Sequence, residues 1–487
     1  MPNPFLPLND YVPDGEPHVF GNRVYLYGSH DAENGDRFCM NDYTVYSAPI
    51  DDLDNWSCHG VSYKKDQDPK SSEGKLVDYY APDCVQGNDG RYYLYYVAMG
   101  PNVMNFGPMS VAVSDKPEGP FEYYGDIRYP DGTPVQKYLT NDPAVLNDNG
   151  RIWLYYGWGI GRDFRNKWMK PLYDQVLRKI GNRSIYEVKN TVPSILSCAV
   201  VELENDMLTV KREPQAVLDS KTTADKKSDL YNHAFYEAPS IRRFGELYYL
   251  VYSSGENHEL AYAISNYPDH GFEYRGVIIS NTDQGYQGNT KAKANGGTIH
   301  GGIELINGQY YIFYHRCTNN TDFSRQACAE PIEILPDGTI EQVEITTQGM
   351  SKKPMIARGI WKSVLACNLY HSNTNGVKGN GHNTEEPTIV CKEQERYITA
   401  IDHGTIIGYK YLHFNDAKEM TITTRGGAGK IIIYTNLSER SVGEIVLSAS
   451  TQWSTYKGIL EIENGIYGLY FVYEGNEKID FLQFEIK

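Results

Sequence analysis

The sequence predicts an all-β protein, in which a five-bladed β-propeller over residues 1–345 is followed by a jelly-roll β-sandwich over residues 346–487. A repeated block predicts the propeller: a polar residue, a half-apolar segment, a Gly/Asn turn and an aromatic strand. Hairpins repeated at long intervals along a chain indicate a radial repeat. The block stops near residue 346 and short strands follow, which predicts the sandwich. The five blocks begin at Asp14, Asp83, Asp142, Glu237 and His300.

The five blocks share one spacing, because the first aromatic residue of the strand follows the lead residue by 9 to 11 positions. Residues 43–50, 109–115 and 260–266 alternate with a period of two and are predicted to be outer blade strands. The innermost strand of a propeller blade lines a central channel. We therefore expect the five lead residues to converge there, as four carboxyl groups and one imidazole. The five aromatic residues are Tyr25, Tyr92, Trp153, Tyr248 and Tyr310.

Charge and composition narrow the possible partners. The formal net charge of −16 disfavours nucleic acid, whose phosphates need a basic surface, and favours a neutral ligand. The 41 tyrosines suit both strand packing and contact with sugar rings. No apolar run approaches the ~18 residues of a membrane span, so no membrane partner is expected. The sequence does not predict the oligomeric state.

The N-terminal residues have no basic start and no apolar stretch, so no signal peptide is predicted. The eight cysteines are scattered and show no metal-ligand spacing. We therefore expect a cytoplasmic enzyme with reduced thiols, or a secreted one if a leader has been removed from the sequence. No cofactor is expected for the chemistry.

The lead residues have the chemistry of a glycosidase. Cleavage of a glycosidic bond needs one carboxylic acid to protonate the leaving oxygen and a second carboxylate on the opposite face of the sugar. Asp14 lies in the polar turn PDGEP, which favours an ionised base. Glu237 lies in the apolar context FYEAPS, which raises a carboxyl pKa and favours an acid. Asp142 would raise the pKa of that acid by like-charge repulsion. Carboxylates on different blades favour the wide spacing of an inverting enzyme.

The other two lead residues each have more than one candidate role. Asp83 would either hydrogen-bond a sugar hydroxyl or order its own strand. His300 would bind the sugar, or hold a water molecule, or hold a calcium ion through water, or it would be a buried core histidine. Calcium prefers oxygen ligands, so direct binding of the imidazole is not expected.

The ordered set of motifs resembles glycoside hydrolase family 43, over residues 5–345. PDGEPHVFGNRVYLYGSHD resembles the motif of the general base (Asp14), NDPAV that of the orienting acid (Asp142), and YEAPSI that of the general acid (Glu237). YAPD resembles the second-blade motif, and His300 matches the axial histidine. The resemblance implies a five-bladed propeller of inverting enzymes that act on arabinose- and xylose-containing glycans. It also makes Arg325, in SRQACAEPIEI, a substrate contact.

Two positions have rivals. Gly15 follows Asp14 where many relatives carry proline, which offers Glu16 as an alternative base, although the spacing of the block favours Asp14. Arg316 competes with Arg325 for the substrate contact. Further candidates for sugar contact follow the first three aromatic strands, and each has a packing role as its alternative. They are His30, Phe106 and Trp158.

The C-terminal segment resembles carbohydrate-binding module family 6, on the residues GGAGKIIIYTN, QWSTYKG and NEKIDFLQFEIK. The resemblance makes Asp480 a candidate ligand of a structural calcium ion. Tyr456 and Phe481 stand where relatives carry tryptophan. The module is therefore either a sugar-binding domain or a structural domain docked on the propeller.

Together these features predict an exo-acting inverting glycosidase that removes α-L-arabinofuranosyl or β-D-xylosyl units from neutral arabinoxylan- or xylan-derived oligosaccharides. One alternative is an endo-arabinanase of the same fold, which needs an open groove. The other is a non-catalytic carbohydrate-binding propeller, which would be expected to lack one of the three acids.

Overall fold

The structure is a computed structural model that describes residues 2–72, 77–100, 106–135, 137–159, 163, 168, 170–179, 196–256, 258–351, 353–372 and 386–487. Over these ranges the chain is all-β, as the sequence predicts, and its strands form seven sheets. The α-helices described are α1 (Pro69–Ser72) and α2 (Lys170–Lys179), and none is long and apolar enough to cross a membrane. Short 3-10 turns occupy Lys65–Gln67, Asp229–His233, Tyr286–Gly288 and Ser363–Leu365.

Five antiparallel sheets follow one another along the first two thirds of the chain, and each pairs its strands in sequence order. The first contains β1 (Glu16–Phe20), β2 (Arg23–Tyr27), β3 (Tyr43–Pro49) and β4 (Ser57–Tyr63). The second contains β5 (Asp78–Gln86), β6 (Tyr92–Met99), β7 (Phe106–Ser114) and β8 (Glu122–Asp126). The third contains β9 (Ala144–Asp148), β10 (Arg151–Tyr156), β11 (Cys198–Leu203) and β12 (Gln215–Leu218). The fourth contains β13 (Phe235–Phe244), β14 (Leu247–Ser254), β15 (Glu259–Ser265) and β16 (Glu273–Ser280). The fifth contains β17 (Ile303–Ile306), β18 (Gln309–Cys317) and β19 (Arg325–Ile332).

The first strands of these sheets form a closed ring. β1 contacts β5, β5 contacts β9, β9 contacts β13, β13 contacts β17, and β17 contacts β1. The N-terminal segment completes the three-stranded fifth sheet, because the Phe5 amide donates to Ala327 O (3.2 Å) and Asn3 Nδ2 donates to Ala329 O (3.1 Å). The two ends of the ring are therefore joined by backbone and side-chain hydrogen bonds.

Aromatic side chains fill the space between neighbouring sheets. Tyr27, Tyr79 and Tyr96 are buried in one cluster between the first and second sheets, and the Tyr79 and Tyr96 rings lie 4.8 Å apart. Tyrosines with this alternating inward pattern pack well on a pleated surface. These tyrosines therefore pack between strands, which is one of the two roles considered for the tyrosines.

The last third of the chain forms two six-stranded sheets that share one apolar core. One sheet contains β20 (Met355–Ile356), β22 (Asn368–His371), β25 (Thr405–Phe414), β27 (Gly429–Tyr434), β28 (Gly443–Leu447) and β30 (Gly465–Gly475). The other contains β21 (Gly359–Lys362), β23 (Thr388–Lys392), β24 (Glu395–Ile401), β26 (Glu419–Gly426), β29 (Ser450–Ile459) and β31 (Ile479–Ile486). The sequence predicts the other eight of these strands, and it misses β20 to β23, which have two to five residues each.

Candidate active site

One cavity of about 300 Å³ lies at the centre of the ring of first strands, and all three predicted catalytic acids line it. Asp14 and Asp142 each lie two residues before a first strand, and Glu237 lies within β13. Three further predicted site residues share the cavity, and they are Trp158, His300 and Arg325. Four of the five lead residues of the repeated block therefore converge on the cavity, and Asp83 does not line it.

Left-handed backbone at the start of the first strands aims these side chains into the cavity. Asp14 has φ 57° and Asp142 has φ 45°, and the residue after Glu237, Ala238, has φ 62°. Non-glycine residues seldom adopt this region, and such strain clusters at functional sites. Asp tolerates it better than most residues. The conformation breaks the regular alternation of the strand at the point where the acids project.

The register of the second sheet differs from the predicted one. In β5, Tyr80 pairs with Val97 but Asp83 pairs with Tyr95, so one extra residue is inserted between them. In β13, a bulge of the same size separates Glu237 from Ser240. Aligning the two bulges makes Tyr80, and not Asp83, the counterpart of Glu237. Tyr80 accordingly lines the cavity.

Asp83 therefore lies one layer deeper than the catalytic acids and is not among the cavity-lining residues. Its carboxylate accepts hydrogen bonds from the backbone N–H groups of Cys84 (2.8 Å) and Val145 (2.7 Å) and contacts His18 Nε2 at 2.5 Å. The Val145 bond joins the second sheet to the third. Of the two roles considered for Asp83, these contacts favour the ordering of the inner strands.

The Asp14 carboxylate is held by Arg325. Arg325 Nη1 donates to both oxygens of Asp14 (2.8 and 3.0 Å). Burial is the largest influence and by itself would raise the pKa of Asp14, but the charge of Arg325, together with smaller effects of neighbouring groups, holds that pKa below its ordinary value. Asp14 is therefore ionised at neutral pH, as a general base must be.

His315 supports the same carboxylate from below. The backbone N–H of Asp14 donates to His315 Nδ1 (3.2 Å), so His315 Nε2 carries the proton and donates to Thr298 O (2.7 Å). Complete burial lowers the pKa of His315 to about 3, which keeps the ring neutral. The residue fixes the position of Asp14 without adding a charge.

All five N–H donors of Arg325 have partners. Besides Asp14, its Nε and Nη2 donate to the two oxygens of Asp31 (2.8 and 2.9 Å), and Nη2 also donates to Cys39 Sγ (3.6 Å). The guanidinium lies over the ring of Phe38 at 4.8 Å. Arg325 was expected to contact substrate. It lines the cavity, but its hydrogen bonds position the base.

Asp142 and Glu237 are linked through the backbone. Asp142 Oδ2 accepts from Asn141 Nδ2 (2.9 Å) and from the N–H of Ala238 (3.1 Å), the residue next to Glu237. Burial raises the pKa of Asp142 to about 6. Burial, reinforced by the charge of Asp142, raises the pKa of Glu237 to about 8. Glu237 is thus protonated at neutral pH, whereas Asp14 is ionised.

His300 places a positive charge at the base of the cavity. Burial disfavours the imidazolium, but Glu16, Asp142 and Asp14 outweigh burial and raise the pKa of His300 to about 9. Its Nε2 lies 3.5 Å from Glu16 Oε1. A cationic His300 favours the ionised forms of the neighbouring carboxylates and offers N–H donors to them.

Below His300 the channel contains a cluster of charged side chains. Arg242 Nη2 donates to Glu16 Oε2 (3.1 Å) and to Pro17 O (2.6 Å), and it lies 3.3 Å from His18 Nε2. Glu16 Oε2 also accepts from Ser240 Oγ (2.8 Å). Glu16, the rival base, is therefore engaged beneath the cavity and is not among its lining residues.

The family resemblance associates this channel with calcium, and the residues present do not fit that ion. Glu16, His18 and Asp83 bring possible ligand atoms within 4.8 Å of one another. The guanidinium of Arg242 already lies among them, and a protonated His300 adds a second positive charge. Calcium takes six to eight oxygen ligands, and this cluster supplies far fewer. No step of the chemistry is therefore derived through a metal.

One of the predicted sugar contacts, His30, lies away from the cavity, and the side chain of another, Phe106, is outside the described residues. The His30 ring bonds Asp42 O through Nδ1 (2.7 Å) and Asp10 Oδ1 through Nε2 (2.7 Å), and it is not among the cavity-lining residues. The backbone of Phe106 pairs with Met99, and its side chain lies outside the described part of the structure. Arg316, the rival of Arg325, donates to Val364 O (2.8 Å) and Ala366 O (3.0 Å) and so joins the two parts of the chain.

Several cavity residues were not predicted from the sequence. Tyr80 had a signal, since the shared Ala-Pro of YAPD and YEAPS aligns it with Glu237. Asn141 precedes the lead residue Asp142 directly. Phe38 and Asp322 come from loops outside the repeated block and had no signal. These four residues line the cavity together with Met99, Tyr236, Ala238, Thr298 and Ile299.

In the C-terminal sheets, an arginine lies against Trp453, the first of the two aromatic residues of QWSTYKG. The guanidinium of Arg425 lies 4.3 Å from the Trp453 ring and 4.8 Å from the Tyr397 ring. Asp480 accepts from Arg425 Nε (2.9 Å) and Thr399 Oγ1 (2.7 Å). An arginine paired with Asp480 does not fit the calcium role considered for that residue. Phe481 is buried in the core.

Comparison with known proteins identifies the family. The model of glycosyl hydrolases family 43 matches residues 1–340, which is more than half of the chain. The chain belongs to this family. It is a glycoside hydrolase, and the structures of this family that it matches are β-propeller enzymes.

Relatives of this family 43 enzyme extend over both parts of the chain. A xylosidase/arabinosidase of Thermoclostridium stercorarium is 40% identical over 97% of this chain and 96% of its own length. A crystal structure of a family 43 β-xylosidase/α-arabinofuranosidase from a compost metagenome, with xylotriose and free of calcium, is 26% identical and covers 71% of this chain and 98% of its own (TM-score 0.53). The structure of an arabinoxylan arabinofuranohydrolase of Bacillus subtilis is 17% identical and covers 100% of this chain and 97% of its own (TM-score 0.50). It shares the fold.

Proposed function

We propose that this family 43 enzyme is an inverting exo-glycosidase that removes terminal α-L-arabinofuranosyl or β-D-xylosyl units from arabinoxylan- or xylan-derived oligosaccharides. One observation carries the proposal: a single cavity holds an ionised Asp14 and a protonated Glu237, contributed by different sheets. The xylosidase/arabinosidase that is 40% identical over nearly the whole chain supports the choice of sugars.

In the proposed reaction, Asp14 accepts a proton from a water molecule, whose oxygen attacks the anomeric carbon. The bond from that carbon to the leaving oxygen breaks, and Glu237 gives its proton to the leaving oxygen. The products are a free pentose of inverted configuration and a shortened oligosaccharide. Asp142 keeps Glu237 protonated and fixes its strand through the N–H of Ala238.

The size of the cavity supports exo action. At about 300 Å³ it stands at the lower end of the roughly 300–1,000 Å³ range of ligand pockets. Such a cavity suits one terminal pentose. Trp158 supplies an aromatic face for its ring, while Tyr80 supplies a hydroxyl. An endo-arabinanase would need a longer groove, and no described feature favours one.

The domain division is part of the same proposal. We take the closed ring of five sheets in residues 1–345 as a five-bladed propeller and the paired sheets of residues 346–487 as a β-sandwich. The cyclic contacts of the first strands and the shared core of the last two sheets support this division. The likeness of the second part to carbohydrate-binding module family 6 stays a prediction, and the Arg425 guanidinium over the Trp453 ring favours a structural role.

We further propose that the enzyme works in the cytoplasm on neutral oligosaccharides. All eight cysteines are free thiols, which suits a reducing compartment. The chemistry should need no metal, because the channel already contains its own cations. Dialysis against a chelator is expected to leave kcat and Tm unchanged, and a loss of activity restored by calcium would contradict the expectation.

The deciding experiment compares nitrophenyl α-L-arabinofuranoside, nitrophenyl β-D-xyloside and linear arabinan, with the product anomer followed by NMR. We expect release of single pentoses whose first-formed anomer is opposite to that of the substrate. A retained configuration would remove the inverting mechanism. Internal cleavage of arabinan would favour the endo alternative, and no hydrolysis of any substrate would favour a binding propeller.

A further inference from the structure

Strand β23 lies at the edge of its sheet and, among the described strands, pairs only with β24. Its antiparallel register with β24 turns the backbone groups of Ile389 and Cys391 outward. Outward groups of an edge strand are free to pair with other chain segments. Here Ile389 O accepts from the N–H of Asn319 (2.8 Å), and Cys391 O accepts from Asn34 Nδ2 (3.3 Å).

These two contacts reach two loops of the catalytic part. We call residues 28–42, between β2 and β3, the base loop, and residues 318–324, between β18 and β19, the wall loop. The loops are joined to each other, because Asn319 Nδ2 donates to Asn34 Oδ1 (3.2 Å). Both asparagines have a left-handed backbone (φ 58° and 56°), a conformation that asparagine tolerates.

Two further contacts fasten the same loops. Thr388 Oγ1, on β23, accepts from the N–H of Asn320 in the wall loop (3.2 Å). Arg396, on β24, forms an ion pair with Glu33 in the base loop and donates to Leu8 O (3.2 Å). The β23–β24 hairpin therefore holds each loop at two adjacent residues.

Both loops carry parts of the active site. The base loop supplies Asp31, which holds Arg325, and Phe38, which lies beneath the guanidinium and lines the cavity. The wall loop supplies Asp322 to the cavity lining and Phe323, whose ring packs edge-on against Phe38 at 4.8 Å. Asn34 is only three residues from Asp31, so its anchor is close to the pair that fixes the base.

We propose that the β23–β24 hairpin of the C-terminal sheet is a positioning element of the active site, which sets the Asp31–Arg325–Asp14 chain and the cavity wall through these two loops. The inference rests on the proposed function, in which Asp14 is the base. It gives the C-terminal part a role in catalysis that does not require it to bind sugar.

The test uses the full chain with Asn34→Gly, which keeps the left-handed backbone, combined with Arg396→Met. We expect kcat/KM on nitrophenyl β-D-xyloside or α-L-arabinofuranoside to fall roughly tenfold, since small misplacements of reacting groups cost as much as 10²-fold. The acidic limb of the pH profile should move to higher pH, because a loosened Arg325 stabilises the Asp14 carboxylate less. Hydrogen exchange should rise in residues 28–42 and 318–324.

Two variants serve as controls. Arg396→Lys keeps the positive charge opposite Glu33 and should retain most of the wild-type activity. Arg440→Met breaks an exposed ion pair with Glu461 in the same C-terminal part and should match the wild type. Unchanged kinetics and an unchanged pH profile in the double variant, even with a lower Tm, would overturn the inference. If the wild type hydrolyses no glycoside, the proposed function fails. In that case, unchanged hydrogen exchange in both loops of the double variant would by itself overturn the positioning role.

Discussion

At the scale of single residues, the site separates two carboxyl groups by their surroundings. Arg325 holds the pKa of Asp14 down despite burial, while burial and the charge of Asp142 raise the pKa of Glu237 to about 8. Separated pKa values of this kind assign a base and an acid. If both carboxyl groups were exposed to water, their pKa values would be similar and would not distinguish the acid from the base.

Asp14→Asn and Glu237→Gln test this assignment. Each should lower kcat on xylo-oligosaccharides by about 10²–10⁴-fold, the usual contribution of a general acid or base. The two differ on nitrophenyl glycosides, whose leaving group needs no proton. Glu237→Gln should keep more activity there, and Asp14→Asn should stay inactive. Equal losses on both substrates would remove the distinction between acid and base, and the reverse pattern would exchange the two roles.

Asp142→Asn tests the electrostatic coupling. Removing this charge lowers the pKa of Glu237 from about 8, so the alkaline limb of kcat/KM should shift to lower pH than in the wild type. Activity at pH 7 should fall about tenfold as the acid ionises. Asp148→Asn, at the other end of β9, is the matched control and should leave the profile in place. An unshifted limb in Asp142→Asn would limit Asp142 to a structural role.

At the scale of elements, the first strands carry two layers of polar side chains. The upper layer is the catalytic one, and the lower layer is the charged cluster around Arg242. Gly302, directly before β17, reflects this crowding, since a Cβ there would lie 2.4 Å from Ser240 Oγ and 2.6 Å from Glu16 Oε2. The lower layer ties neighbouring strands together and so holds the upper one in place.

Arg242→Met should therefore destabilise the protein strongly. Removing one partner from a buried ion pair costs about 3–5 kcal/mol, because the remaining charges stay buried and unpaired. Arg243→Met, at the next position of β13, removes a partly buried ion pair with Asp148, whose side chains are 27% and 11% exposed, and should lower Tm less. Urea unfolding of the two variants measures the difference. Similar midpoints would mean that the channel cluster adds little to stability.

The sequence predicted the repeated elements because each block carries its own turn and its own aromatic strand. It predicted Asp14, Asp142 and Glu237 because they stand at fixed positions in those blocks. It misaligned Asp83, because a spacing of 9 to 11 residues to the aromatic strand does not fix the register, whereas the shared Ala-Pro of YAPD and YEAPS aligns Tyr80 with Glu237. Phe38 and Asp322 reach the cavity from loops whose course depends on contacts with a distant part of the chain.

At the scale of the whole molecule, the catalytic ring and the C-terminal sheets share buried polar contacts. Lys410, on β25, donates to Glu344 (2.7 Å), and Arg316 donates to the carbonyls of Val364 and Ala366. Buried groups of this kind lose their partners if the two parts separate. The two parts are therefore expected to unfold together.

Calorimetry should show one cooperative transition for the wild type. Lys410→Met leaves Glu344 without its charged partner, so the C-terminal part should unfold first and a second transition should appear. Lys430→Met, which removes an exposed pair with Glu444 on the same sheets, should keep a single transition. Two transitions in the wild type would show that the parts are energetically independent.

The joining of the N-terminal segment to β19 has a consequence for synthesis in the cell. Asn3 donates a hydrogen bond to Ala329, which lies 326 residues later in the chain. The ring of sheets therefore cannot close until most of the chain has been translated. At ribosomal speeds of ~5–20 residues per second, that wait lasts roughly 16 to 65 seconds. During this interval the first sheet lacks its neighbouring sheet on one side, and we expect chaperones to bind at that side. A bulky fusion placed ahead of Asn3 would prolong the same vulnerable period.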